Sequence, residues 1–180
     1  DSPWRAVAVA VGLGLAGPVL AILLSIPTGL GLRAIQPPVE ISIVVSLVVW
    51  QYLAFGGVAV WYLRRRGLDL AGMREYLGVR VPSLRELLIV LGGWVLIFGM
   101  VLATLILIQL VAIEPAQNQT GQLVIDRPQL FPVLIVSMFL IVGPMEELLY
   151  RGVVQGRLRE ALGPVPAIAV ASAVFASVHV

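Results

Sequence analysis

Apolar residues along this chain come in long runs, at about 6–32, 39–63, 84–113, 129–158 and 164 to the end, and most of the charge falls in the short stretches between them. The first four runs exceed the ~18 to 20 residues that a helix needs to cross a ~30 Å hydrocarbon core. The pattern predicts an all-α fold: a polytopic helical membrane protein with about five transmembrane helices, forming a single membrane domain over residues 1–180. Gly12, Gly14, Gly17, Pro18 and Pro27 lie inside the first run. They would break a helix in water, but a membrane helix tolerates them where neighbours satisfy the freed backbone groups, so a kinked span is expected.

Composition strengthens this reading. Apolar residues make up 59% of the chain, charged residues only 12%, and the mean hydropathy is +1.01. Ordinary soluble domains are about 45 to 50% apolar and about 25% charged. With no cysteine, disulfides, thiol chemistry and thiolate-bound zinc are excluded. All twelve basic residues are arginines, and the formal charge is +2. They sit between apolar runs, which argues for contact with membrane lipids and against a nucleic-acid partner. Arg5, Arg64, Arg65, Arg66, Arg74, Arg80, Arg85, Arg157 and Arg159 can all be cytoplasmic, against Arg33 and Arg127 outside, so a cytoplasmic N-terminus is expected.

The chain opens on Asp1 and ends at Val180 within an apolar run, so it reads as a piece of a longer protein whose further helices follow. The first run is too long for a signal peptide and is read as the first span. Residues 67–83 mix Leu, Met, Tyr and Arg and are expected along the membrane surface. In the polar external loop, Asn118, Gln119 and Thr120 match a glycosylation sequon, a pattern common by chance.

The fourth run carries Glu146, Glu147 and Arg151. Glu146 lies eleven residues from the cytoplasmic anchor Arg157, roughly 16 Å along a helix and near the middle of the bilayer. Each ionised side chain there costs about 2.5 to 3.5 kcal/mol, so the cluster points to function. Glu147 and Arg151 have the i,i+4 spacing of a helical ion pair, and Glu146 beside them suits a general base acting on water. Gly143 and Pro144 precede the pair and can start a new helical segment, with the carboxylates in its first turn. Gly152 and Gly156 form a small-residue face for close helix approach.

His179, the only histidine, lies sixteen residues after Gly163, and Glu146 lies seventeen before it. In an antiparallel hairpin turning at Gly163 the two reach equal depth and can meet. Taken alone, His179 is more readily a core histidine and Phe175 simple packing, while Glu147 with Arg151 is as readily a bundle-holding ion pair; only the pairing with Glu146 reverses the reading of His179. A catalytic zinc needs about three protein ligands, and this chain has one histidine and no His-Glu-x-x-His, so neither metal nor cofactor is expected.

Glu146-Glu147-x-x-x-Arg151 in one span and Phe175-x-x-x-His179 in the next resemble the first two motifs of the CPBP family, the CaaX proteases and bacteriocin-processing enzymes also called the Abi family. The resemblance covers residues 143–180, and the upstream spans share only their hydrophobicity. It implies an intramembrane glutamic-type endopeptidase in which Glu146 activates water, His179 orients it, and Glu147 with Arg151 shapes the site. The implied partner is a prenylated CaaX-type or other membrane-associated peptide, and the expected location is the plasma membrane of a prokaryote. Family members carry further His and Asn or Asp residues on later helices. Two other readings fit the residues: a non-catalytic immunity or scaffold protein of the same fold, and a proton-coupled transporter.

Overall fold

The computed structural model describes residues 2–111 and 119–179, all in helices and short connections, with no strand among them. Asn118 of the sequon lies outside the described residues. Helix α1 spans Pro3–Ile35, α2 Val39–Arg65, α3 Leu70–Tyr76, α4 Leu84–Leu110, α5 Gln119–Asp126, α6 Pro128–Leu162 and α7 Pro164–Ser177. Four of these, α1, α2, α4 and α6, are long and apolar enough to cross a membrane. The fifth apolar run, which extends to the last residue, forms the shorter apolar helix α7 of 14 residues.

Two compact units emerge, residues 1–78 with 129–180, and residues 79–128. The second unit holds α4 and α5. Ser83 and Glu86 close a capping box at the start of α4, each side chain bonding the other's backbone amide. The most apolar window of α4 is 0% buried, and Trp94 and Phe98 stack on its surface 6.0 Å apart. A helix apolar all round is the form a membrane span takes.

In the first unit each helix begins and ends for a local reason. Pro3 occupies the first turn of α1, where its missing N–H costs nothing. Gln36 ends α1 in a left-handed conformation, φ 50°, its amide bonded to Leu32 O, and Pro37 and Pro38 stop further winding. Asp69 caps α3 by accepting from Gly72 N at 2.8 Å. Between α6 and α7 the chain reverses at Gly163, whose φ of 77° and ψ of 178° lie in a region open essentially to glycine alone. Pro164 then starts α7.

The core draws Ala10 and Leu13 from α1, Phe55 and Leu63 from α2, Met73 from α3, Leu149, Tyr150 and Leu158 from α6, and Ala171 and Val174 from α7. Glycine makes this approach feasible: a Cβ at Gly14 would come within 2.5 Å of Val174 Cγ1, and one at Gly17 within 2.7 Å of Leu149 Cδ2. Gly14 and Gly17, two of the residues read as helix breakers in α1, are therefore packing sites, and α1 runs unbroken through Pro18 and Pro27. The neighbour admitted by the glycines of α6 is α3, with Leu77 against Gly152 and Tyr76 against Gly156. At that end Glu160 joins Arg66 at 2.5 Å and Arg157 at 2.7 Å, and the Arg66 guanidinium lies 5.2 Å from the Tyr76 ring centre. Arg157, taken from the sequence as the cytoplasmic anchor, is buried at this end of α6.

Candidate active site

Helix α6 stays right-handed from Ser137 to Leu162 but changes its winding, with π-helical turns over Met138–Val142 and Glu147–Val154 on either side of Gly143–Glu146. The expected fresh helix start at Pro144 does not occur, since Val142 and Gly143 keep helical dihedrals. Wide turns absorb the proline instead, and such turns recur at functional sites. They also place Glu146, Glu147, Tyr150 and Arg151 along one pocket.

That pocket is lined by Glu146, Glu147, Tyr150, Arg151 and Gln155 of α6, facing Ala171, Ser172 and Phe175 of α7. Glu147 Oε2 meets Arg151 Nε at 3.1 Å, the i,i+4 pair expected from spacing, with both side chains well exposed. Glu146 is half-buried on the neighbouring face.

The reversal at Gly163 brings α7 back along α6. The rings of Tyr150 and Phe175 meet edge to face at 5.0 Å, thirteen residues before the glycine and twelve after it. One turn further on each helix lie Glu146 and His179, and the His179 ring is an electrostatic neighbour of the Glu146 carboxyl. His179 stands just beyond the helical end of α7, exposed, its amide bonded to Ala176 O. Its ring packs on Phe175 at 4.2 Å. Nδ1 lies 2.8 Å from Phe175 O, and because a carbonyl only accepts, Nδ1 is the donor. Nε2 is left facing away from that bond.

The structure adds a residue that the motifs did not contain. Gln51 of α2, 7% exposed, lies beside Glu146. A signal existed: Gln51 is the only carboxamide in the apolar run 39–63, and buried polar groups in membrane helices mark sites. Gln155 and Ser172 also line the pocket without having been singled out. Among the described residues no three His, Cys, Asp or Glu side chains gather as a metal-binding set.

Residues 128–180 match the family model described as type II CAAX prenyl endopeptidase Rce1-like. No curated protein and no solved structure matches the chain. The matched segment contains both paired motifs and the hairpin that joins them, and this supports the likeness of residues 128–180 of this integral multi-pass membrane protein to the CPBP family of CAAX proteases.

Proposed function

We propose that this protein is an intramembrane glutamic-type endopeptidase in which Glu146 activates water against a peptide carbonyl. The observation that carries the reading is the contact of Tyr150 with Phe175, which holds the two motif helices in a register where Glu146 and His179 are neighbours. Glu146 takes a proton from water as its oxygen adds to the carbonyl carbon, then passes that proton to the departing amine. His179, with Nδ1 held by Phe175 O, offers Nε2 to orient the water. Arg151 holds Glu147 in place at the pocket's edge. The substrate is a prenylated CaaX-type or other membrane-associated peptide, reached from the cytoplasmic or bilayer side of a prokaryotic plasma membrane.

The test is cleavage of a quenched fluorescent farnesylated peptide by the full-length protein in nanodiscs. Glu146→Gln should lower kcat by about 10²- to 10⁴-fold, the usual worth of a general base, while the protein stays folded. Undiminished cleavage by Glu146→Gln would remove the assigned base. If the wild type cleaves nothing, the protease reading falls and the scaffold and transporter readings stand.

A further inference from the structure

We infer that Gln51, on the second helix, is a positioning residue that fixes the Glu146 carboxyl and the water it activates. This rests on the protease reading above. Register is the first support. Helices α2 and α6 lie side by side with the same direction: Tyr52 Oη reaches Leu140 O at 3.1 Å, the backbone at Gly56 lies against Met145 Sδ, and the rings of Phe55 and Tyr150 meet at 6.1 Å. One turn earlier on both helices, Phe55 gives way to Gln51 and Tyr150 to Glu146. That register sets the Gln51 side chain beside the Glu146 carboxyl.

Burial is the second support. Gln51 is 7% exposed in an otherwise apolar stretch, and its Oε1 has no hydrogen-bond partner among the described residues. An amide placed there costs stability unless its polar atoms are used. One N–H on a carboxylate oxygen of Glu146 stops the carboxyl from rotating and leaves the other oxygen for water. The open Oε1 then accepts from the same water or from the substrate's peptide N–H. Glu146 is thereby held by its own backbone in α6 and by Gln51 from α2, with His179 at the end of α7 left to orient the water.

The test compares wild type, Gln51→Met and Gln51→Glu as full-length protein in nanodiscs, with the farnesylated peptide as probe. Gln51→Met keeps length and volume and removes the amide. It should lower kcat about 10- to 100-fold, the scale of a misplaced catalytic group, with KM within about twofold and the pH–rate profile displaced. Gln51→Glu puts a second carboxyl beside Glu146 and should lose kcat as well. A merely structural glutamine would leave kcat and the pH profile of Gln51→Met unchanged, and that result overturns the inference while the protease reading stands. Infrared spectroscopy supplies a readout independent of cleavage. The Glu146 carboxyl band, assigned by its loss in Glu146→Gln, should shift in Gln51→Met. If the wild type is inactive the protease reading falls, and an unmoved band then also removes the pairing of Gln51 with Glu146.

Discussion

The hydroxyl of Tyr150 donates to the carbonyl of Gly14 at 2.9 Å, and that carbonyl would have taken its helical bond from position 18, where the chain has proline. The same arrangement recurs between Tyr52 and Leu140, at 3.1 Å, with Pro144 four residues further on. Pro18 and Pro144 each remove the α-helical donor of the carbonyl four residues earlier, in a solvent that offers no water to replace it. A tyrosine on a neighbouring helix supplies the donor. The bonds tie α6 to α1 and α2 to α6, so the helix breakers become points of attachment.

Tyr150→Phe should therefore cost about 1 kcal/mol, the net worth of one buried hydrogen bond, and more if the carbonyl stays unpaired. Pro18→Ala restores an amide at the right place and should remove most of that cost. A double-mutant cycle on thermal unfolding in detergent checks this. Equal losses from Tyr150→Phe with and without the Pro18→Ala change would disprove the compensation.

Gly14→Ala should destabilise the first unit by about 1 to 3 kcal/mol, the usual cost of overpacking, because its Cβ would come within 2.5 Å of Val174 Cγ1. Gly12 has nothing within 4 Å of the same position, so Gly12→Ala should leave the melting temperature unchanged or raise it. The contrast between neighbouring glycines is the measurement.

Arg151→Gln should separate structure from chemistry. Its ion pair with Glu147 lies within a membrane span, so leaving Glu147 without its partner should cost stability by up to about 2.5 to 3.5 kcal/mol. Peptide cleavage should also fall at least about tenfold, since Glu147 loses the partner that orients it. A fall in melting temperature with unchanged kcat would assign the pair to packing alone.

Tyr76 lies in α3, outside the spans, and its phenol is pushed up from 10.0 to about 12, first by burial and then by the negative charge of Glu160. The folded state holds this proton more tightly than the unfolded state, so the contribution to stability is complete below pH 10 and is lost as pH rises toward about 12. Tyr76→Phe should flatten the fall in melting temperature across that window. Absorbance titration in the phenolate band should show one fewer late-titrating phenol.

The polar side chains at the joint of α2, α3 and α6 should respond to salt. Glu160→Gln breaks contacts to Arg66 and Arg157 together, and the second of these arginines is only 9% exposed. The loss should exceed that of Arg66→Gln, because a buried charge is left with less compensation. Melting curves at low and high ionic strength would show the Arg66 contribution screened first.

Hydrophobic pattern and residue spacing were enough to establish the solvent, the spans and the motif hairpin. Long apolar runs allow only helices in a bilayer, and a single Gly163-Pro164 turn makes the last two antiparallel, so equal spacing from Gly163 put Glu146 opposite His179. The ion pair of Glu147 with Arg151 was legible for the same reason, since i,i+4 neighbours meet on any helix. Spacing could not reveal how far α7 winds, and the turn at Ser177 leaves His179 beyond its end. Nor could it reveal that α6 passes through Pro144 without a break, because the relief comes from wide turns and from Tyr52 on another helix. Gln51 is the sharpest case. It lies about ninety-five residues from Glu146 along the chain, and no local period links the two. Only the side-by-side packing of α2 on α6 brings that amide to the carboxyl, because contacts between distant helices depend on their relative rotation, which is set when side chains of one helix seat in the grooves of the other.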